Sequence, residues 1–182
     1  MGTTAFVDRQ GLAGYDLGTD HPLAPVNREL AIDLIRTYGM LDQPDVQVLA
    51  PEPGDEDLIA RVHTPAYMAQ VRRYSAQPAL AHAFEAGMWG LAAGGDTPAF
   101  HGMHEAAVAV CGSSVTAARA VWEGGATRVF SAAGGLHHAF ANKANGFCIY
   151  NDPAVAIQWL LENGAERVAY VDVDVHHGDG TQ

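Results

Sequence analysis

The chain has 182 residues, of which 48% are hydrophobic and 17% are charged, a composition typical of one globular domain and not of a disordered chain. Ten basic residues against 21 acidic ones give a formal net charge of -11, which argues against nucleic-acid binding and is compatible with a cationic partner. The two cysteines form no CxxC pattern, the N-terminus is unlike a signal peptide, and no apolar run has membrane-spanning length. These features predict a cytoplasmic protein without a membrane partner.

Along the chain, the predicted elements alternate between short strands and helices. Apolar and β-branched runs predict three strands, over residues 4–8, 46–50 and 127–131. Pro22 and Pro25 delay the first helix to about residue 27. Helical spacing of apolar residues predicts helices over about 27–38, 55–62, 64–74, 79–90, 102–123 and 152–163. The last of these begins with Asp152 as its N-cap and Pro153 as its first residue, and a final strand follows over 167–175.

This alternation predicts an α/β fold, with a mostly parallel sheet covered by helices on both faces. The sequence shows no repeat, linker or low-complexity segment, so residues 1–182 are predicted to form a single domain. Two polar segments, 134–138 and 174–179, each follow a predicted strand. We therefore expect both segments at the same rim of the sheet, where α/β folds place their chemistry.

The predicted final strand carries Asp172, Asp174 and His176 on one face, and the valines that alternate with them in the sequence point to the other face. Burying two carboxylates and an imidazole on a strand is costly unless a cation or hydrogen bonds compensate them. Alternate side chains on a strand lie roughly 6.6 Å apart, so Asp174 and His176 can converge on one ion at about 2 Å from each. The alternative is a strand that ends in a solvated turn, and it is disfavoured because the charges alternate with valines.

Two adjacent histidines, His137 and His138, follow a pair of glycines that let the backbone turn sharply. Alone, such histidines are as compatible with an idle surface loop as with catalysis. Beside a metal, however, a hydrolase needs a base that moves the proton of water, and each histidine needs a carboxylate that fixes its tautomer. Asp172 and Asp179 are available for these two roles.

Four motifs in this order resemble zinc-dependent histone deacetylases, in particular their bacterial acetoin-utilisation branch. They are GGLHHA at 134–139, GFC at 146–148, ND at 151–152 and DVDVHHGDG at 172–180. The resemblance implies an arginase/deacetylase-like fold and hydrolysis of the amide bond of N-acetyl-lysine or of a similar acylated amine.

For the metal, the resemblance implies that Asp174 and His176 bind Zn²⁺, or another divalent ion such as Fe²⁺. It also implies a structural K⁺ near Asp172, Asp174 and His176. Family members are about twice as long as this chain and supply a third metal ligand, an aspartate, and a transition-state tyrosine from the remaining half. The 182-residue chain is therefore expected to be weakly active or inactive.

For catalysis, the resemblance implies that His138, oriented by Asp179, is the general base and then the general acid. His137, paired with Asp172, would assist electrostatically.

For the substrate, Gly146 and Phe147 would line a narrow channel for the acyl-lysine stem, and Asp96 would hold the substrate backbone at the rim. The plainer interpretations are core packing for Phe147 and a turn for Asp96. Cys148 is expected to be a buried structural thiol. One departure from the family pattern is Asn27, which stands in the slot of an arginine, with Arg28 one residue later.

Three other functions are compatible with the residues. An arginase-like ureohydrolase would use two metal ions, although the GGLHHA and GFC segments argue against it. An acetylpolyamine amidohydrolase would perform the same chemistry on a small cation. A non-catalytic fragment or binding module would retain the fold without binding zinc.

Overall fold

The structure is a computed structural model that describes residues 2–8, 14–82 and 84–182. Its strands are β1 (Thr4–Val7), β2 (Val46–Leu49) and β3 (Arg128–Ser131). They form a parallel sheet in the order β2–β1–β3, in which Phe6 of the central strand lies level with Val48 and Phe130. The predicted α/β class, with a parallel sheet and helices, is confirmed. The three predicted strand positions agree with the structure to within one residue.

The described helices are α1 (Pro25–Thr37), α2 (Glu56–Val62), α3 (Pro65–Ala76), α4 (Phe84–Met88), α5 (Met103–Trp122) and α6 (Asp152–Glu162). Side chains cap several of them: Asp55 accepts the N–H groups of Asp57 and Leu58 at the start of α2. Of the helices in the described part of the chain, none combines the length and the apolar character needed to cross a membrane.

Two helix predictions need correction. The single helix predicted over 79–90 is instead a 3₁₀ turn, Pro78–His82, followed by α4, and Ala83 between them lies outside the described residues. The N-cap of α6 is Asn151 and not Asp152, because the Asn151 side chain accepts the N–H of Ala154 and the backbone of Asp152 is already helical. An N-cap residue keeps non-helical dihedrals, and Pro153 is tolerated on either assignment because it still falls in the first turn.

The core lies where α5 packs against β3 and α6. The buried face of α5 includes Met103, Ala107, Val110 and Cys111, as its helical spacing predicts. Four tyrosines, Tyr15, Tyr67, Tyr74 and Tyr150, are at most 1% exposed in the same core. Tyr67 donates its hydroxyl hydrogen to the carbonyl oxygen of Ile149 at 2.7 Å, which ties α3 to the segment before α6.

The predicted strand over 167–175 is wrong. These residues form no strand in the structure, and Val171, Val173 and Val175 are 78%, 92% and 93% exposed. A strand requires hydrogen bonds to a neighbouring strand, and the described strands pair only with one another. The alternation of valines with acids therefore does not bury the valines here, although the polar side chains of the segment still reach the site described below.

His63, at the C-terminal end of α2, is 1% exposed and holds two distant segments together. Its Nε2 accepts the backbone N–H of Asn151 at 2.9 Å, so its Nδ1 carries the hydrogen and donates to the carbonyl oxygen of Phe140 at 3.0 Å. Burial lowers the pKa of His63 from 6.5 to about 4, because a buried imidazole resists taking a charge.

We expect this shift to make the protein less stable in mild acid. Between pH 6.5 and about 4 the unfolded chain protonates His63 whereas the folded chain does not, so the free energy of unfolding falls as the pH falls, by up to about 3 kcal/mol. Urea unfolding at pH 7 and pH 4 measures the change, and the variant His63→Gln should show a smaller pH dependence. Equal pH dependence in both proteins would contradict the assignment.

Candidate active site

The two adjacent histidines lie in the loop that follows β3, with their ring centroids 4.1 Å apart. His137 is buried, at 6% exposure, and the His138 side chain is 17% exposed. Each ring meets a carboxylate from the C-terminal segment. His137 Nδ1 lies 2.6 Å from Asp172 Oδ2, and His138 Nδ1 lies 2.8 Å from Asp179 Oδ1.

These two carboxylates determine which nitrogen of each ring carries the hydrogen. A carboxylate accepts the hydrogen on Nδ1, which leaves Nε2 of the neutral imidazole with a free lone pair. The hydrogen bond from His137, followed by the backbone N–H of Asp174, lowers the pKa of Asp172 to about 2. Burial, the largest single effect, raises the pKa of Asp179, but the hydrogen bond and charge of His138 together with the backbone N–H groups of Asp179 and Gly180 outweigh it, so the net shift of the pKa is downward. Both carboxylates are thus ionised at neutral pH.

Asp174 and His176 lie next to the paired histidines and face each other. His176 Nδ1 is 2.9 Å from Asp174 Oδ1, and the centroids of the His138 and His176 rings are 6.1 Å apart. Both side chains are open to solvent, with exposed fractions of 52% for Asp174 and 74% for His176. They line one cavity of about 410 Å³ together with His137, His138 and the predicted substrate residues Asp96, Gly146 and Phe147.

The donor set of this cavity fits part of a zinc site. A carboxylate oxygen and an imidazole nitrogen are both zinc ligands, and two donors on a tetrahedral ion are about 3.3 Å apart. The 2.9 Å contact between His176 Nδ1 and Asp174 Oδ1 is a hydrogen bond, and it places these two groups side by side at the cavity. Three protein ligands are usual for catalytic zinc, and among the described residues no group of three or more His, Cys, Asp or Glu side chains could hold a metal ion.

Gly146 and Phe147 form one wall of the cavity in an unusual backbone conformation. Of the described residues other than glycine, Phe147 alone has a positive φ, of 73°, a conformation that is costly for a bulky side chain. Hydrogen bonds hold it there: its N–H donates to Thr97 Oγ1 at 3.0 Å and its carbonyl accepts the Tyr15 hydroxyl at 2.7 Å. A Cβ on Gly146 would lie 2.5 Å from His138 Cδ2, so only glycine lets this wall pack against the ring.

We expect Tyr15→Phe to loosen this wall. The substitution leaves the Phe147 carbonyl and the Ile149 N–H without the partner that both now share, and a buried group that loses its partner costs about 1–3 kcal/mol. Thermal unfolding should register the loss, whereas Tyr38→Phe, at a tyrosine that is 72% exposed, should not change the melting temperature. Equal melting temperatures for Tyr15→Phe and the unmodified protein would contradict this account.

Several residues of the site lack a local sequence signal. His21 packs edge-on against Phe147 with ring centroids 4.5 Å apart, and its Nε2 lies 3.1 Å from the carbonyl oxygen of Asp96. Asn145 donates its side-chain amide to Asp179 Oδ2 at 3.3 Å. These contacts join residues 34 to 126 positions apart, so no periodic pattern could predict them.

Asn27 and Arg28, at the departure from the family pattern, differ in their surroundings. Asn27 is exposed and donates its side-chain amide to the carbonyl oxygen of Pro22 at 3.2 Å. Arg28 is partly buried, and its charge acts on Tyr15 and Asp152, while burial lowers the pKa of its guanidinium. Of these two residues, Arg28 and not Asn27 is therefore the partly buried one.

Comparison with known proteins identifies the family of this chain. Residues 21–182 match the histone deacetylase domain. The chain is 38% identical over its whole length to acetoin utilization protein AcuC of Bacillus subtilis (strain 168), of which it covers 46%. It is 33% identical over 99% of its length to AcuC of Staphylococcus xylosus, again covering 46% of that protein.

A eukaryotic relative extends the comparison. The chain is 32% identical over 95% of its length to histone deacetylase clr6 of Schizosaccharomyces pombe, and it covers 42% of that protein. The chain belongs to the histone deacetylase family, and the resemblance to its acetoin-utilisation branch is confirmed. It spans about half the length of these relatives.

Proposed function

We propose that this chain supplies the paired histidines and two metal ligands of a zinc-dependent amidohydrolase, which removes the acyl group from acetyl-lysine or from a similar acylated amine. One observation carries the proposal: two histidines, each bonded through Nδ1 to its own carboxylate, line the same cavity as Asp174 and His176. Membership of the histone deacetylase family supports the reaction class. The free, buried Cys111 and Cys148 suit a reducing cytoplasm.

Asp174 and His176 are the residues that would hold the divalent ion. The chemistry that zinc supplies in such a site is polarisation of the amide carbonyl and a lower pKa for attacking water. The same proposal includes a structural K⁺ that would bind near Asp172, Asp174 and His176. Because two protein ligands fall short of the usual three, we expect weak or no turnover by the 182-residue chain alone.

The histidines move the protons. His138 Nε2 accepts a proton from water as the water oxygen bonds to the acyl carbon, and it returns that proton to the amine nitrogen as the C–N bond breaks. Acetate and the free amine are the products. Asp179, bonded to His138 Nδ1, stabilises the imidazolium that forms between these steps. His137, bonded to Asp172, adds a second Nε2 beside the reacting oxygen.

The shape of the cavity supports an acylated amine on an aliphatic stem. Gly146 and Phe147 offer an apolar wall, and Asp96 places a polar group at the same cavity. The net charge of -11 favours the approach of cationic substrates.

The proposal is tested by comparing hydrolysis of an acetyl-lysine peptide, an acetylpolyamine and arginine by the longest polypeptide that the gene encodes. Turnover of the acetyl peptide is the expected result. Preferential turnover of the acetylpolyamine would transfer the function to small acylated amines with the same chemistry. Hydrolysis of arginine alone, or of none of the three with zinc supplied, would overturn the proposal in favour of a ureohydrolase or a binding module.

A further inference from the structure

We propose that Asn151 and Asp152, at the start of α6, are positioning residues that together set the place of both histidine rings. We call this pair the Asn151–Asp152 clamp. The proposal rests on the proposed function, since it concerns how His137 and His138 are held for the reaction. No substrate or metal need touch the clamp, because it acts through the backbone of the histidine loop.

Asp152 holds the entry to the loop. Its side chain is 1% exposed, and its two oxygens accept the N–H of Gly135 at 3.0 Å and the N–H of Leu136 at 2.8 Å. The hydroxyl of Ser114 on α5 donates to the same carboxylate. A carboxylate bonded by three donors is held firmly in one orientation. The backbone just before His137 is therefore fixed to two helices.

Asn151 holds the exit of the loop. It is fully buried, and its side-chain amide donates to the carbonyl oxygens of His137 at 3.2 Å and Ala139 at 3.1 Å. These two carbonyls flank His138, so a rotation of the His138 backbone would break both contacts. The side-chain oxygen of Asn151 meanwhile caps α6 by accepting the N–H of Ala154 at 2.9 Å, which fixes the amide itself.

Asn151 also connects the histidine loop to the carboxylate that orients His138. Thr181 Oγ1 lies 3.1 Å from Asn151 Oδ1 and 3.3 Å from the carbonyl oxygen of His137. Thr181 is two residues beyond Asp179, in the same turn. One buried side chain thus bonds to residues on either side of His138 and to the turn that contains Asp179. The proposal is that the 2.8 Å bond between His138 and Asp179 depends on this link.

Asn151→Asp separates the clamp from ordinary helix capping. Aspartate is as good an N-cap as asparagine, so the bond to Ala154 survives, but a carboxylate cannot donate to the carbonyls of His137 and Ala139. Asn163→Asp is the matched control: the same change at the other end of α6, where the amide donates to the carbonyl oxygen of Trp159 at 2.8 Å and touches no part of the site.

The first readout is the pair of low-field Nδ1–H proton signals in protein labelled with ¹⁵N-histidine, which does not depend on turnover. We expect Asn151→Asp to lose or shift the His138 signal, and we expect Asn163→Asp to leave it in place. The second readout is the split of kinetic constants. Loss of a group that orients catalytic residues lowers activity by about 10–100-fold. We expect Asn151→Asp to show this loss in kcat, with a KM that stays within about twofold of the KM of the unmodified protein.

Unchanged Nδ1–H signals together with unchanged kcat in a folded Asn151→Asp protein would overturn the clamp. If that variant fails to fold, Thr181→Val tests the same link, and an unaltered His138 signal there would also overturn it. A His138 signal that responds as expected in a protein without deacetylase turnover would uphold the clamp and refute the proposed function instead. The two failures are therefore distinguishable.

Discussion

In the longest polypeptide that the gene encodes, His138→Ala is expected to lower kcat for an acetyl-lysine substrate by about 10²–10⁴-fold, the usual contribution of a positioned general acid–base group. The reason is geometric: His138 is bonded through Nδ1 to Asp179 and lines the cavity that also contains Asp174 and His176. Without its Nε2, no group at that position takes the proton of water or returns it to the leaving amine.

Two further variants sharpen this result. Asp179→Asn preserves the size of the side chain but no longer offers a charged acceptor to His138 Nδ1, so we expect kcat to fall by about 10–100-fold. His101→Ala, at an exposed histidine away from the cavity lining, should leave kcat unchanged. The assignment of His138 as base would fail if its alanine variant kept more than a tenth of the original kcat.

The second large effect is expected from a single methyl group, in Gly178→Ala. A Cβ at this position would lie 2.3 Å from Asp172 Oδ2 and 3.1 Å from His137 Nδ1. Carbon and oxygen do not approach so closely, so Asp172 must move away from His137 and their 2.6 Å bond is lost. Loss of such an orienting contact costs about 10–100-fold in kcat.

The control for this prediction is Gly125→Ala. The atom nearest to a Cβ added at Gly125 would be the carbonyl oxygen of Ala120, at 3.4 Å, which is an ordinary contact. Neither glycine has a positive φ, so the two substitutions differ in steric consequence and not in backbone strain. Steady-state kinetics on both variants measures the effect. If Gly178→Ala matched Gly125→Ala in kcat, the close approach of Gly178 to the His137–Asp172 pair would have no catalytic importance.

The sequence predicts local structure well where the signal is local. Prolines, glycines and apolar spacing locate the three strands and most helices to within a few residues, because caps and turns depend on neighbours in the chain. The prediction over 79–90 is wrong at its start because these residues show no clear apolar periodicity, and composition alone does not distinguish a 3₁₀ turn from an α-helix. Choosing Asp152 over Asn151 as the N-cap is a similar local ambiguity, since both residue types cap helices.

The final strand shows where local patterning is insufficient. Alternation of valines with acids over 171–176 is a strand signal, yet Val173 and Val175 are more than nine-tenths exposed. A strand is defined by its neighbour, which periodicity cannot specify. The acidic side chains nevertheless lie beside the histidines, although the strand predicted over 167–175 does not form. The contacts of Asn151, Tyr15 and His21 have no local signature, because each joins segments far apart in the chain.

Metal dependence is the most direct test of the central claim that Asp174 and His176 hold a divalent ion beside the paired histidines. Hydrolysis of a fluorogenic acetyl-lysine substrate by the longest polypeptide that the gene encodes is measured before chelation, after removal of the chelator with its metal, and after addition of zinc. The account predicts that chelation abolishes turnover, that zinc restores it in the unmodified protein, and that zinc fails to restore it in Asp174→Ala. Turnover that persists undiminished in the metal-free protein would contradict the account.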